Sequence, residues 1–560
     1  MKILIIPSAT LINDDLKQQF GNIPTVLTPI NGETILEKLY NQYKDYMDYI
    51  LVVGKEKSSQ IDYLIKSKKL DIKLVEIDEV KDLGYSVLKA LDFIKEEVNI
   101  EAIENIVINL GDTIVEDIDI NTLDDVVLYS KIEDTARWTI FEHDGKKIIK
   151  ILDKQYVSDE DKKHNAFIGV YSFTDIIKLY ECLKKAVNTN DNLKNSFYEM
   201  ILKYGLENSI NILFTDRWLD LGHFDKYISS KKDIQARYFN SIKIDKKRGI
   251  LKKTSIDTKK FQNEILWYLK LPRNLQYMTP RIIDYSLAYD EMSVTMEYYG
   301  YPTISELFVF GDLELSEWKK IFESIFMVIK DMSNYSVKDN EINSSLDTMY
   351  LGKTIERLQL LKKDNNFKLF FDNEIYINGE KYKGISYYLN RLPELIENYR
   401  VRDISSFNII HGDLCFANIL YDLQTGLVRL IDPRGTFGNY DIYGDTRYDL
   451  AKLSHSVNGK YDYIIHDLFD LNVNNNHVNY SLNIDESKKD IEKLFEKLIH
   501  QYGYDYKQIR LIEGTLFLSM IPLHKDNINR QYAMMATGIK ILEELIRALE
   551  GDRQWLLKKM

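Results

Sequence analysis

The stretch that decides the reading is NIIHGDLCFANILYD, residues 408–422. An apolar run leads into His411, Gly412 and Asp413; Asn418 follows, and a second apolar run closes the segment. A carboxylate and an amide between two strand-like runs need a partner chemistry, since a buried polar group left unpaired costs about 1–3 kcal/mol. Downstream, residues 418–422 (NILYD), a turn at 423–426 (LQTG) and residues 427–435 (LVRLIDPRG) read as a β-hairpin. Asp432 ends its second strand. The hairpin brings Asn418 and Asp432 together, with Asp413 on the loop ahead of them.

Three such groups suit phosphoryl transfer. Mg²⁺ takes hard oxygen ligands and bridges phosphate oxygens. An amide oxygen and a carboxylate can hold it while a further carboxylate orients the attacking hydroxyl. Asp413 is therefore the expected base or hydroxyl-orienting group, and Asn418 and Asp432 are the expected metal ligands. His411 reads as a structural hydrogen bonder behind the loop. Gly412 permits a positive-φ backbone there. The competing reading is a polar turn in an α/β protein. Cys415 reads as a small buried packing residue.

HGDLCFANIL followed by LIDPRG resembles the aminoglycoside phosphotransferase and choline kinase superfamily, small-molecule kinases with a protein-kinase-like fold. The likeness covers about residues 240–560. It implies a catalytic Asp413, metal-binding Asn418 and Asp432, Mg²⁺, ATP (or GTP) as phosphate donor, and a small hydroxyl acceptor such as a sugar, polyol or amino alcohol. GDTRYDLAKL (444–453) resembles the family's Asp-Leu-Ala helix start, with Asp449 as a structural cap or loop support. Arg434 reads as an exposed turn residue, phosphate contact being the other reading. A kinase also needs a lysine for the nucleotide phosphates and a glutamate to aim it. GILKKTS (249–255) supplies Lys252 and Lys253, with Lys253 preferred, and the following helix supplies Glu264. MEYYGYPTI (296–304), around Glu297, stands where a hinge between lobes reads adenine; a plain strand and turn competes with it. True protein kinase activity is disfavoured, because His-Gly-Asp stands for His-Arg-Asp and no Ala-Pro-Glu segment appears.

The N-terminal part has another texture. KILIIP, YILVVG, IKLVEI, NIVINLG and DVVLYS are short apolar runs ending in turn signals, and helical patterns such as ETILEKLYNQY, QIDYLIKSKK and GYSVLKALDFIKEE lie between them. This predicts a largely parallel sheet covered on both faces, with ligands beyond the carboxyl ends of the strands. Four segments in order resemble the sugar nucleotidyltransferase family: NIVINLGDTIV, DLGYSVLKAL, AFIGVYSF and RWLDLGHFDKY. The resemblance implies Asp112 and Asp220 as metal ligands, Gly84 and Ser86 as nucleoside contacts, and CTP, UTP or another nucleoside triphosphate as substrate. The first loop departs from that family. PSATLINDDLKQQFGNIPT (7–25) lacks the glycine cluster and the arginine, carries Asp14 and Asp15, and has Thr25 after Pro24 where the family has lysine. Lys17 is a candidate substitute.

The expected architecture is an α/β Rossmann-like nucleotidyltransferase domain over residues 1–235, followed by an α+β two-lobed protein-kinase-like domain over 236–560. The smaller lobe takes about 236–305 and the helical lobe about 306–560. The expected function joins the two chemistries: the kinase moves the ATP γ-phosphate to a hydroxyl, and the first domain couples the product to a nucleotide, giving an activated sugar or alcohol for bacterial capsule or other cell-surface polysaccharide. The competing function is a kinase alone, with the first domain binding a nucleotide or nucleotide-sugar, or serving as scaffold. A net charge of −12 argues against a nucleic-acid binder. No run of about 18 apolar residues predicts a membrane span. The opening MKILIIPSAT reads as a strand rather than a signal peptide. Two cysteines, Cys182 and Cys415, exclude a disulfide framework and make the cytoplasm the expected location.

Overall fold

The computed structural model describes residues 1–116, 118–144, 147–157, 163–188, 195–238, 242–245, 247–482, 484 and 487–559. They form two compact units, Met1–Ile234 with Phe310–Asp312, and Gln235–Val309 with Leu313–Met560.

The first unit is built on a nine-stranded sheet. Lys2–Ser8 pairs in parallel with Tyr49–Gly54 on one side and Asn105–Asn109 on the other, and Tyr49–Gly54 pairs in parallel with Lys73–Glu76. Ile3, Leu4, Ile5 and Ile6 are all fully buried, because helices cover both faces of these strands. Those helices start on sequence signals. Thr34 and Glu37 form a capping box at Ile35–Tyr43, each side chain bonding the other's backbone N–H. Asp82 caps Leu83–Glu97 by accepting from the Tyr85 N–H at 2.8 Å.

The largely parallel sheet expected from the sequence holds for these four strands and for Asn211–Phe214, which pairs in parallel with Val126–Ile132, and fails elsewhere. His164–Phe173 runs antiparallel to both Asn105–Asn109 and Val126–Ile132. A parallel return needs a crossover of a dozen or more residues, usually a helix. The chain between Val126–Ile132 and His164–Phe173 instead carries the antiparallel pair Ile140–His143 and Ile148–Leu152, so it comes back antiparallel.

In the second unit four antiparallel strands lie in the order Ile242–Asp245, Ile250–Thr254, Ser293–Glu297, Ile282–Ser286. The first two match the pair expected around KKRG; residues 239–241 and 246 of that stretch lie outside the described residues. Helix Thr258–Lys270, capped by Asp257, follows the second strand and buries Phe261, Glu264, Ile265, Trp267 and Tyr268. Pro272, two residues past its end, cannot continue it. The rest is mostly helical, including Leu315–Ser333, Lys353–Leu361, Thr446–Val457, Tyr506–Met520 and Ile528–Lys559. Phe308, Trp318 and Phe416 pack edge-on and stacked at the centre. Hairpin Ile419–Asp422 with Leu427–Leu430 forms in the register Ile419↔Leu430.

Two further hairpins, Ile375–Ile377 with Glu380–Tyr382 and Asp470–Asn474 with His477–Ser481, join in one sheet that the sequence reading did not anticipate. The first carried a signal: Asn378-Gly379 sits at φ +52° and +80°, the pair of positive angles a two-residue hairpin loop requires. Among the described residues no helix is long and apolar enough to cross a membrane.

Candidate functional site

Loop 411–418 is held from behind. The Trp267 indole N–H donates to Ile410 O at 2.7 Å, and its ring meets the His411 ring edge-on. His411 is fully buried; its Nε2 contacts Ile431 O at 2.9 Å, and its Nδ1 accepts the Asp413 N–H at 3.3 Å. One imidazole thus ties the loop to the strand that delivers Asp432. Burial pushes His411 below its ordinary pKa, so it stays neutral and structural. Gly412 adopts φ +77°, and a side chain there would press on Arg434. The cap of helix Thr446–Val457 is Asp445, which accepts from the Arg447 N–H. Asp449, one turn in, instead accepts the backbone N–H groups of His411 at 2.7 Å and Gly412 at 2.8 Å.

Asp413 keeps 40% of its side-chain exposure, enough for a substrate to reach it. Its Oδ1 lies 2.9 Å from Lys452 Nζ. Desolvation opposes ionisation of Asp413, but Lys452 outweighs it and holds the carboxyl below its ordinary range. Asn418 turns its amide nitrogen onto Asp413, donating to its carbonyl at 2.9 Å and to Oδ2 at 3.2 Å. That leaves the Asn418 amide oxygen as the group available to a cation. Asp432 sits at φ +56°, a left-handed conformation that costs a non-glycine residue on the order of 1 kcal/mol. Its N–H donates to the Tyr268 hydroxyl at 3.2 Å.

Lys253 projects from strand Ile250–Thr254 and lies 2.8 Å from Glu264 Oε1 and 2.7 Å from Asp432 Oδ1. Burial works against the Lys253 ammonium, and the two carboxylates more than offset it, so the charge is kept. Lys253, Glu264 and Asp432 are therefore in direct contact, as are Asp413 and Asn418, and His411 with Ile431 links the two sets. Glu297 closes strand Ser293–Glu297; its side chain accepts from the Tyr299 hydroxyl and its N–H donates to Arg281 O. Arg434, expected on an exposed turn, is half-buried: its NH1 donates to the Tyr448 hydroxyl at 2.9 Å. Asp445 and Lys452 were not singled out from the sequence. The Asp-x-Arg spacing 445–447 was a readable cap signal; Lys452 carried none, since its role depends on the loop it meets.

The first unit places a second acidic site. Strands Thr113–Val115 and Trp218–Asp220 pair antiparallel, setting Asp220 opposite Thr113 and next to Asp112. Desolvation, and then Asp220, push the Asp112 carboxyl up to about 6. Gly222 leaves room for it: a Cβ there would stand 2.6 Å from Asp112 Oδ2. Asp220 accepts the Gly222 N–H at 2.9 Å and contacts His223 Nδ1 at 3.0 Å. Two facing carboxylates beside a cradle free of side chains suit a divalent cation that keeps waters or phosphate oxygens. Beside Asp220 opens a cavity of about 590 Å³ lined by Trp138, Trp218, Arg137 and Lys226; Trp218 and Lys226 belong to the segment RWLDLGHFDKY, whereas Trp138 and Arg137 carried no sequence signal.

Gly84 and Ser86 are occupied by the protein itself. A Cβ on Gly84 would lie 2.2 Å from Ser196 Oγ, and the Ser86 hydroxyl donates to Asp82 O. The first loop is filled likewise. The amides of Ile12, Thr25 and Val26 donate to Ile23 O, Thr10 O and Ser8 Oγ, and Leu16 and Phe20 pack inward from helix Asp14–Phe20. Lys17 pairs with Asp14 at 3.2 Å. Asn13 reaches the acidic site, donating to Gly222 O at 2.8 Å.

Comparison with known proteins finds likeness in the first unit. No protein-family model matches the chain. A 208-residue segment is 26% identical to the bifunctional protein GlmU of Methanococcus aeolicus, covering 36% of this chain; the chain spans less than half of that relative, 47% of its length. Among solved structures, CTP:phosphocholine cytidylyltransferase (LicC) from Streptococcus pneumoniae is 16% identical over 42% of this chain and 99% of its own, with a TM-score of 0.34. A UDP-glucose pyrophosphorylase complexed with UDP-glucose is 15% identical over the same shares, also at a TM-score of 0.34.

Proposed function

We propose that the second unit is a small-molecule kinase of the aminoglycoside phosphotransferase and choline kinase type, transferring the γ-phosphate of ATP (or GTP) to a hydroxyl. The observation that carries this reading is the contact of Lys253, from one strand, with Glu264 of the next helix and Asp432 of a distant hairpin, tied through His411 to the loop bearing Asp413 and Asn418.

The roles follow from the chemistry of each group. Asp413, kept ionised by Lys452, accepts the hydrogen bond of the incoming hydroxyl and orients it. A depressed pKa makes it a weak base, which suits a loose transition state that needs little proton removal before the phosphoryl group departs. Lys253, held by Glu264, offers its ammonium to the phosphate oxygens. The Asn418 amide oxygen and the Asp432 carboxylate are the groups that would hold Mg²⁺, which on binding neutralises phosphate charge.

For the first unit we infer a nucleotidyltransferase-like site with Asp112 and Asp220 toward the metal, taking a nucleoside triphosphate and the phosphorylated product of the kinase. Together the two units would make an activated sugar or alcohol, the kind of precursor that cell-surface polysaccharide synthesis consumes. A specific observation favours a second reading. Backbone amides that would grip a triphosphate are consumed within the first loop, and Lys17 faces Asp14. On that reading the first unit binds a nucleotide or nucleotide-sugar without transferring it.

The test is turnover by purified full-length protein with ATP, Mg²⁺ and a panel of hydroxyl acceptors, read by ADP release and phosphorus NMR of the product. ATP consumption that depends on an acceptor supports the kinase; its absence across the panel overturns it. Calorimetry with CTP, UTP, GTP and dTTP, followed by pyrophosphate release, separates transfer from binding in the first unit.

A further inference from the structure

Around Asp413, on the side facing helix Lys353–Leu361, positive charge accumulates. Lys452 Nζ lies 2.9 Å from Asp413 and 3.7 Å from Met520 Sδ. Arg357 NH1 donates to the carbonyl of the neighbouring Ser519 at 3.3 Å. Lys353 lies one helical turn before Arg357, on the same face. Arg434 donates to the Tyr448 hydroxyl, and its other terminal nitrogen lies 3.9 Å from Met349 Sδ, just ahead of that helix. Four basic side chains thus converge from three segments.

The acids nearby do not balance them. Asp413 is one charge shared among them. Asp449 is committed to two backbone amides, and Glu356 is exposed beside Arg357. Among the described residues Lys353 has neither a hydrogen-bond nor an ion-pair partner, although it is partly buried. Burial, and then Arg434, Arg357 and Lys452, push its ammonium down to about 6. Lys353 and Arg357 both keep partial exposure, so a ligand can reach them.

We propose that this cluster is the acceptor subsite, and that the acceptor hydroxyl belongs to a molecule that already carries an oxyanion, a carboxylate or a phosphate. An oxyanion there relieves the mutual repulsion of the cations and offers Arg357 and Arg434 forked hydrogen-bond partners. An acceptor bearing an ammonium group meets repulsion from Lys452, Arg357 and Arg434. The proposal rests on the kinase reading above and narrows its acceptor from sugars, polyols and amino alcohols to acidic ones.

The test uses the full chain with ATP and Mg²⁺ and compares hydroxy acids, sugar or polyol phosphates, their uncharged parents, and amino alcohols. An anionic arm is expected to exceed the uncharged parents in kcat/KM by at least about tenfold, the scale of one charge-assisted hydrogen bond. Which anionic arm wins distinguishes carboxylate from phosphate. Preference for the uncharged or amino alcohols overturns the proposal and leaves the kinase standing; no turnover in any arm overturns both. Lys353→Met and Arg357→Gln are each expected to raise the anionic acceptor's KM at least about tenfold and to change kcat by less than about threefold. Lys353→Met removes a side chain with no hydrogen-bond or ion-pair partner among the described residues and is expected to leave the melting temperature unchanged, which separates lost binding from lost folding; Arg357→Gln also gives up the Ser519 carbonyl. An unmoved KM in both variants overturns the proposal.

Discussion

The carboxylate of Asp449 accepts the backbone N–H of Gly412 at 2.8 Å, and its other oxygen accepts that of His411. A helix side chain thereby fixes the φ +77° turn that aims Asp413. Replacing one oxygen by a donor, as in Asp449→Asn, sets an amide N–H against a backbone N–H. The expected cost is about 1–3 kcal/mol, that of a buried donor left unpaired. A lowered denaturation midpoint, together with a turnover loss that exceeds any loss in ATP affinity, is the predicted signature; unchanged turnover would remove Asp449 from supporting the loop.

Asp413→Asn keeps the shape of the loop and removes the charge that Lys452 balances. Turnover is expected to fall at least about 10²-fold, the scale of one positioned acid–base group. ATP binding, measured by calorimetry, changes far less, because Lys253, Glu264 and Asp432 make none of the Asp413 contacts. Retained turnover would take Asp413 out of its role.

In the first unit the sensitive position is a glycine. A methyl group at Gly222 meets Asp112 Oδ2 at 2.6 Å. The carboxylate can swing aside at little expense to the fold, but it then leaves the place it shares with Asp220. Gly222→Ala is expected to weaken Mg²⁺-dependent nucleoside triphosphate binding at least about tenfold, or about 1.4 kcal/mol, with the melting temperature nearly unchanged. Equal affinity in variant and parent, measured by titration calorimetry, would separate the acidic pair from nucleotide binding.

Periodicity made the parallel strands and most long helices legible, because strands covered on both faces are apolar throughout and amphipathic helices repeat at three and four residues. What local pattern could not carry is which distant segments meet. Asp413, Asn418 and Asp432 were readable because one loop and one hairpin hold them. Lys452, Lys353 and Arg357 were not: on the sequence they are ordinary helical basic residues, and their meaning comes from two helices converging on one carboxylate. Asp449 was legible as a support, whereas the cap it was also offered for fell to Asp445, four residues earlier. Gly84 shows the reverse case, a motif glycine whose missing side chain is explained by the close approach of Ser196.

His455 gives the fold a pH dependence. It is fully buried, and neither ring nitrogen has a hydrogen-bond partner among the described residues. The ring lies between Tyr461 at 4.2 Å and Phe517 at 4.1 Å; Lys452 and His524 are the basic groups acting on it, and the Tyr461 phenol, its own pKa raised by burial, is the other titratable group against it. Burial, then Lys452 and His524, hold its pKa well below the ordinary value. The unfolded chain therefore binds a proton that the native state refuses. Stability rises with pH up to about 6.5 and is lost as pH falls below it, at up to about 1.4 kcal/mol per pH unit for this one group. Denaturant midpoints measured from pH 7.5 to 5 should fall with pH, and His455→Phe, which keeps the aromatic packing without a titratable nitrogen, should flatten that slope. An identical slope in parent and variant would assign the acid sensitivity to other groups.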